Sequence, residues 1–170
     1  MGKPALPYLL MTLLVCASNI LVQYPLNDWL TWGAFPYPIT FLVTELTTRS
    51  YGPRQARKVV YAGFCCAVLL SFWLATPKIA SASCTAFLTA QLLDILLFNR
   101  LRSSAWWLGP LCASVCASLL DASIFWPLAF YGEDLPILTW ALGDTAAKLA
   151  MDFCLLLPFR FAINKVRVCS

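Results

Sequence analysis

The sequence predicts an all-α integral membrane protein, a bundle of six transmembrane helices with both termini in the cytoplasm. Three observations lead to this fold class: the composition, the spacing of long apolar stretches, and the distribution of positive charge. Hydrophobic residues make up 61% of the 170 residues and charged residues only 12%, whereas soluble domains average about half and about a quarter. The core of a soluble chain this small could not bury so much apolar surface, so lipid must cover much of it.

Six apolar stretches account for the predicted helices, and each is close to the roughly twenty residues that cross a bilayer. They span residues 5–24, 29–48, 59–76, 79–98, 106–130 and 135–161. The first could be a signal peptide because Lys3 precedes it, but five similar stretches follow, so we interpret it as the first of a set. The turns between the stretches are short, which requires antiparallel neighbours, and strands would leave unpaired edges in lipid. The whole chain, 1–170, is therefore predicted to be one transmembrane domain.

The positions of lysine and arginine predict the orientation. If six segments alternate, ten positive residues share one side: Lys3, Arg49, Arg54, Arg57, Lys58, Arg100, Arg102, Arg160, Lys165 and Arg167. The other side holds Lys78, Asp28, Glu133 and Asp134. Positive loops remain in the cytoplasm, which places both termini there and predicts a multi-pass protein of the inner membrane. Because the charges lie in several loops rather than on one basic face, the net charge of +4 does not indicate nucleic-acid binding.

Histidine and cysteine usage excludes several kinds of site. The chain has no histidine, which rules out His-based triads and His metal ligands. Nearly all of the eight cysteines lie inside apolar stretches, where a thiol acts as a small hydrophobic group. Cys112 and Cys116 share a helix face, but no third ligand accompanies them. We therefore predict no metal, no cofactor and no catalytic residues, and hence no enzyme.

Six ionisable residues fall inside the apolar stretches: Glu45, Asp94, Asp121, Asp144, Lys148 and Asp152. Each would cost about 2.5–3.5 kcal/mol at the centre of a membrane helix, and more if it faced lipid unpaired. We therefore expect all six to face the interior of the bundle. They are the first candidates for a functional role.

Three of these residues form a stripe on the last helix. Asp144, Lys148 and Asp152 are spaced four residues apart, so they share one face. The stripe is either a structural ion-pair ladder with Lys148 between two aspartates, or a coupling element, since one negative charge remains uncompensated. Asp121 lies deep in the fifth helix with no cation within one turn. Its partner must be Lys148 or a ligand.

Glu45 and Asp94 lie nearer to helix ends and have plainer alternatives. Glu45 precedes Arg49 by four residues, which is the favourable order for a salt bridge within a helix. Asp94 is close to Arg100, so we interpret it as structural or as a support for the site. Gln91, one turn from Asp94, can donate and accept hydrogen bonds at once.

A proline-containing stretch at residues 35–38 indicates a ligand site beside the second helix. Pro36 and Pro38 free backbone carbonyls, and irregular backbone at membrane depth occurs only next to protein or a cavity. Most tryptophans fall near segment ends and are interpreted as anchors at the membrane surface. The candidate substrate-binding residues are Glu45, Gln91, Asp121, Phe35, Thr44 and Asn99. The candidate ion-pair or coupling residues are Asp144, Lys148, Asp152 and Asp94.

Several motifs resemble one known family. They are FPYPITFLVTELTTRSYG at 35–52 followed by Ala56-Arg57, QLLDILLFNRLR at 91–102 with Trp106-Trp107, the spacing of Ser118, Asp121, Phe125, Ala129-Phe130 and Gly132, and Asp144, Lys148 and Pro158 in the last helix. From the second helix onwards the chain is similar to the queuosine-precursor transporters, also called the vitamin uptake transporter family. Two departures stand out. Glu45 occupies a position where members commonly carry Asp, and the connection at residues 76–78 is short.

The resemblance implies the uptake of a small purine-like molecule, a 7-deazaguanine base such as 7-cyano-7-deazaguanine or 7-aminomethyl-7-deazaguanine. A guanine-like edge presents two parallel donors, which one buried carboxylate can accept together. The ring can lie on aromatic faces. Glu45 or Asp121 is the expected acceptor, and Gln91 could add a bond to the carbonyl group of the base.

Other functions stay open at this point. The runner-up is a substrate-binding subunit of a vitamin importer driven by a separate ATPase, because such subunits are also six-helix proteins of this size. The chain has no GxxxxGK[ST] loop and cannot hydrolyse ATP itself, but it could dock a partner that does. An intramembrane enzyme would need a nucleophile beside a recognisable base, which the sequence does not offer. A purely structural scaffold would leave the buried carboxylates without a purpose. The partners are then the lipid bilayer and a small molecule, and the sequence leaves open whether the protein forms a homo-oligomer.

Overall fold

The computed structural model describes residues 5–22, 24–27, 29–74, 76–132 and 137–165. The chain is an all-α membrane protein with six helices in these ranges: α1 Ala5–Leu21, α2 Pro36–Tyr51, α3 Pro53–Leu74, α4 Pro77–Leu101, α5 Leu108–Phe130 and α6 Ile137–Lys165. A short hairpin lies between α1 and α2, formed by β1 Pro25–Asn27 and β2 Leu30–Thr31, and a 3₁₀ turn follows at Trp32–Ala34. Five residues used above to predict orientation lie outside the described residues, as does the side chain of Lys165: Lys3, Asp28, Glu133, Asp134 and Arg167.

Three helices are long and apolar enough to cross a membrane on length and composition, namely α3, α4 and α5. Helix α1 is also apolar but has only 17 residues. The protein is therefore a multi-pass membrane protein. A count of six spans and a cytoplasmic location of both termini remain predictions.

The second helix begins later than predicted. Residues 29–35 were expected to be helical, but they form β2, the 3₁₀ turn and the residues beside them. The Asn27 side chain accepts a hydrogen bond from the Trp29 backbone N–H at 2.9 Å, a local turn that competes with helix formation. Pro36 then begins α2, where its missing N–H costs nothing because the first turn of a helix has no acceptor for it. The prolines thus start the helix rather than interrupt it.

Helix α2 is the central element of the bundle. It packs against each of the other five helices, and half of its 16 residues are buried. Four buried threonines bond back to the carbonyl oxygens of the preceding turn, so their hydroxyl groups need no water: Thr40, Thr44, Thr47 and Thr48. Side chains along α2 are therefore positioned to form the middle of any internal site.

The bundle has two ends that we name by their contents. The hairpin end holds the hairpin, the starts of α2, α4 and α6, and the ends of α1, α3 and α5. The arginine end holds the starts of α1, α3 and α5 and the ends of α2, α4 and α6. The residues close to its turns include Arg49, Arg54, Arg57, Arg100 and Arg102. There the Arg160 guanidinium lies 4.3 Å from the centroid of the Trp106 ring, a cation–π contact.

The hairpin is held against the helices by close backbone contacts. The Ser18 hydroxyl donates to the Gly33 carbonyl at 3.2 Å. Gly143 of α6 lies directly against the carbonyl oxygen of Trp29, and a Cβ atom at this position would overlap that oxygen. A glycine at 143 therefore lets the hairpin pack onto the start of α6.

Candidate functional site

A large cavity occupies the half of the bundle nearest the hairpin end. Its volume is about 670 Å³, within the range of about 300–1,000 Å³ typical of small-molecule sites. All six helices and the hairpin contribute to its wall, which reaches the turns at the hairpin end. We call this space the central cavity.

Aromatic side chains line much of the central cavity: Tyr37, Phe87, Phe125, Trp126, Phe130 and Trp140. Trp126 stacks on Phe130 with their ring centroids 5.4 Å apart, and Trp140 contacts both rings at 5.9 Å. Trp126 and Trp140 are thus exceptions to the interpretation of most tryptophans as surface anchors, since they face the cavity; Trp126 is only 9% exposed. Such faces can hold a flat ring by stacking.

The floor of the central cavity is a buried ion-pair network, which we call the floor network. Lys148 Nζ lies 2.7 Å from Asp121 Oδ2 and 2.6 Å from Asp144 Oδ2. The Tyr37 hydroxyl donates to Asp121 Oδ1 at 2.5 Å, and the Trp126 indole N–H donates to Asp144 Oδ2 at 3.4 Å. One cation between two carboxylates leaves a net charge of −1, in a place that a polar ligand can reach.

Lys148 is the partner of Asp121, which is one of the two possibilities that the sequence left open. Lys148 comes from α6, and it also lies 4.8 Å from the centroid of the Tyr37 ring. The ladder along α6 is formed only in part, because Lys148 contacts Asp144 and Asp121 rather than Asp152. Asp152 instead accepts a hydrogen bond from the Ser118 hydroxyl at 2.9 Å.

Three further carboxylates, which we call the acid cluster, lie towards the arginine end: Glu45, Asp94 and Asp152. They are 3%, 0% and 3% exposed. No described residue bonds to Glu45 Oε1, to either Asp94 oxygen or to Asp152 Oδ1. The salt bridge expected between Glu45 and Arg49 is absent among the described residues, and the Arg49 Nε atom is also without a partner there.

Gln91 and Thr44 lie between helices rather than in the central cavity. Thr44 donates to Gln91 Oε1 at 2.6 Å, and Gln91 Nε2 donates to the Thr40 hydroxyl at 2.6 Å. These bonds join α4 to α2 and occupy both ends of the Gln91 amide. The Phe41 ring, which is also buried, packs on Tyr37 with their ring centroids 5.5 Å apart.

The arginine end is closed by an apolar cluster. Phe98, Ala113 and Phe159 form its buried core, with the two phenylalanine rings 5.8 Å apart and nearly perpendicular. Leu42, Leu46, Leu97 and Ile163 pack around them. Among the described residues, the central cavity thus reaches the turns at the hairpin end, whereas the arginine end is packed shut.

The structure separates the six predicted substrate-binding residues, all of which it describes. Asp121 lines the central cavity, and Glu45 lines a second, much smaller cavity in the acid cluster. Phe35 ends the 3₁₀ turn beside Trp32, with ring centroids 5.9 Å apart. Asn99 is partly buried in the last turns of α4, at the arginine end. Tyr37 and Trp126 were not among the candidates, although Tyr37 lies in the proline-containing stretch that indicated a site.

Comparison with protein families places this geometry in context. A family model described as "Putative vitamin uptake transporter" matches residues 31–76 and 71–163. The chain belongs to this family.

Two named transporters are similar to the chain. The "Queuosine precursor transporter" of Escherichia coli (strain K12) is 33% identical over 175 residues, covering 86% of this chain and 79% of that protein. The "Probable queuosine precursor transporter" of Haemophilus influenzae (strain ATCC 51907 / DSM 11121 / KW20 / Rd) is 31% identical over 186 residues, covering 85% and 79%. No solved structure matches the chain. Both names describe transporters, proteins that move molecules across membranes.

Proposed function

We propose that the protein carries a queuosine precursor, a 7-deazaguanine base, across the inner membrane into the cytoplasm. The observation that carries this proposal is a cavity with stacked aromatic walls above a floor of alternating charge. The names of the two relatives point to the same class of substrate. Both termini and the arginine end lie in the cytoplasm in this proposal, because positive loops remain there.

The floor network offers the hydrogen-bond pattern that complements a guanine-like edge, which has one acceptor beside two donors. Lys148 carries three N–H donors, of which two face Asp121 and Asp144, so the third can bond to the carbonyl oxygen of the base. Asp144 Oδ1 accepts no bond from any described residue and can accept from the ring N–H or the amino group. Lys148 and Asp144 are then the recognition pair.

In this arrangement Asp121 positions the recognition pair rather than binding the base itself. Tyr37 and Lys148 already occupy one lone pair on each of its oxygens. Glu45, the other acceptor expected from the sequence, lies two turns beyond Tyr37 on α2, about 12 Å along the axis. It would contact the base only after the base has left the central cavity.

Transport by purified protein tests the proposal. The protein is reconstituted alone in liposomes loaded with unlabelled 7-cyano-7-deazaguanine, and entry of the labelled base by exchange is measured. We expect exchange that excess 7-aminomethyl-7-deazaguanine inhibits and excess adenine does not, since adenine presents the reverse order of donors and acceptors. Exchange that appears only when an ATPase partner is added would support the importer-subunit function instead.

A further inference from the structure

The acid cluster consists of three carboxylates from three helices, and no described cation forms an ion pair with any of them. Glu45 comes from α2, Asp94 from α4 and Asp152 from α6. Four of their oxygen atoms are buried and without a partner among the described residues. Glu45 and Asp152 line one small internal cavity, and Asp94 is fully buried on α4, which packs against α2. Ionised carboxylates in such a place are very costly, because burial removes the water that stabilises their charge.

The charged groups around the cluster do not supply the missing positive charge. Lys148, one turn from Asp152, is within ion-pair distance of Asp121 and Asp144. Arg49, one turn beyond Glu45, forms no ion pair among the described residues. The basic residues of α3 are exposed to the outside of the bundle: Arg54, Arg57 and Lys58. Helix α1 carries no charged residue, and α5 faces the cluster with the hydroxyl groups of Ser114 and Ser118.

A small internal cavity adjoins the unpartnered oxygens. Glu45, Ser114 and Asp152 line it, together with Pro38 and Phe41. Its volume of about 10 Å³ is close to the space that a single water molecule needs. Among the described residues, no group of three side chains has the spacing of a metal site. The space thus fits one water or hydronium between two carboxyl groups better than a coordinated metal ion.

We propose that Glu45, Asp94 and Asp152 form a proton-binding site that couples transport to a proton gradient. This inference rests on the proposed function and adds the source of its energy. In the state described here, with the arginine end packed shut, protons neutralise the carboxyl groups. Each proton bound converts a carboxylate to a neutral carboxylic acid, and its release restores the carboxylate.

Coupling follows from the position of the cluster between the floor network and the apolar cluster. Protons can reach it from the central cavity along Ser118 and Ser114, which share one face of α5 with Asp121. When the arginine end opens, water reaches the carboxyl groups and stabilises their ionised form, so protons leave on that side. The state with the arginine end closed binds more protons than the state with that end open, so acid favours the closed state. A proton-driven carrier needs this linkage between proton binding and conformation.

Infrared spectroscopy of the purified protein tests proton binding without any substrate. At neutral pH the spectrum should contain a carbonyl band of protonated carboxyl groups that shifts in heavy water. Glu45→Gln, Asp94→Asn and Asp152→Asn should each remove part of this band. Asp144→Asn is the matched control and should leave it unchanged, because Asp144 forms an ion pair with Lys148. Absence of the band in the wild-type protein at neutral pH, or a band that survives in all three variants, would overturn the inference.

Transport in liposomes tests the coupling. With labelled 7-cyano-7-deazaguanine and the outside one pH unit more acidic, one proton per base gives up to about tenfold accumulation. Glu45→Gln and Asp152→Asn should only equilibrate the base, and a sodium gradient should not replace the acid one. Equilibration by the wild type, or accumulation driven by sodium, would show that the coupling is wrong. If the base does not move at all, the proposed function fails, and the infrared band still decides whether the cluster binds protons.

Discussion

The floor network and the acid cluster are both made of ionisable residues buried in an apolar bundle, yet their bonding differs. In the floor network, both carboxylates contact the one ammonium group, and a tyrosine and a tryptophan donate to them. In the acid cluster, one serine is the only donor that the described residues provide. The charges in the first are paired with one another, whereas the described residues supply no counter-charge to the second. Of the two cavities described above, the floor network lines the one large enough for a metabolite.

This difference assigns separate tasks to the two groups. A network with fixed charge presents the same donors and acceptors at every encounter, which suits recognition. A cluster that lacks counter-charges is stable only when neutral, which suits a group that takes up and releases a proton. The experiments below test this division, beginning with the largest expected effect.

Labelling of intact cells tests which end of the bundle faces the exterior, and hence on which side the floor network and the acid cluster lie. We expect an impermeant thiol reagent to label Tyr131→Cys in intact cells, since this residue is 82% exposed in the turn after α5. Arg102→Cys, in the turn after α4, is the matched control and should react only after the cells are opened. The reverse pattern would place the acid cluster on the outer side and would contradict both the orientation and the direction of proton flow.

Removing the lysine should destabilise the protein strongly. Lys148→Ala leaves Asp121 and Asp144 buried without a cation, which costs about 3–5 kcal/mol, and thermal unfolding in detergent measures it. The double variant Lys148→Ala/Asp144→Asn should lose less than Lys148→Ala alone, because one stranded charge is gone. Strictly additive losses would mean that the two residues do not interact. By contrast, Asp152→Asn should not lower the melting temperature, since it removes a buried carboxyl group that has no cation partner among the described residues, and the amide oxygen can still accept from Ser118.

Binding should distinguish the two groups at equilibrium. Asp144→Asn replaces an acceptor by a donor and should weaken binding of 7-cyano-7-deazaguanine by about 1.5–3 kcal/mol, roughly ten- to hundredfold. Calorimetry with detergent-purified protein gives the dissociation constants. Glu45→Gln, the corresponding change in the acid cluster, should alter the constant less than twofold. Equal losses for both variants would show that the base contacts the acid cluster as well.

The smallest effect is expected in the aromatic wall. Trp126→Phe keeps a ring beside Phe130 but removes the N–H that donates to Asp144 at 3.4 Å, and it reduces the stacking surface. Affinity should fall by about 0.5–1.5 kcal/mol, or two- to tenfold. Trp107→Phe, whose ring is exposed at the arginine end, serves as a control that should not change binding. A larger loss for Trp107 than for Trp126 would argue against the central cavity as the binding site.

The sequence was sufficient to predict the all-α membrane fold and the burial of its six ionisable residues. Composition and apolar length determine the first, and the cost of charge in lipid determines the second. Glu45, Asp94, Asp121, Asp144, Lys148 and Asp152 are all buried. These properties depend on single residues and local runs, which a sequence displays directly.

Other features depend on contacts between distant segments and could not be predicted in the same way. Helical spacing placed Lys148 beside both Asp144 and Asp152, but the choice of Asp121 as its second partner depends on how α5 packs against α6. The apolar run at 29–34 suggested a helix. The paired strands β1 and β2 are too short to produce a recognisable strand pattern in the sequence. Trp126 and Trp140 have the sequence positions of surface anchors, and only their neighbours turn them towards the cavity.

The contact between Gly143 and the Trp29 carbonyl suggests how the wall of the central cavity could be changed by design. The hairpin rests against α6 at a point where one hydrogen atom is all that fits, so each added carbon would lift the strand further from the helix. A graded series of Ala, Val and Leu at 143 would therefore displace the Trp29 backbone, which lines the central cavity, in increasing steps. Such variants would offer a set of cavity walls of different position next to Asp144, and hence a means to admit bulkier base analogues for imaging or inhibition.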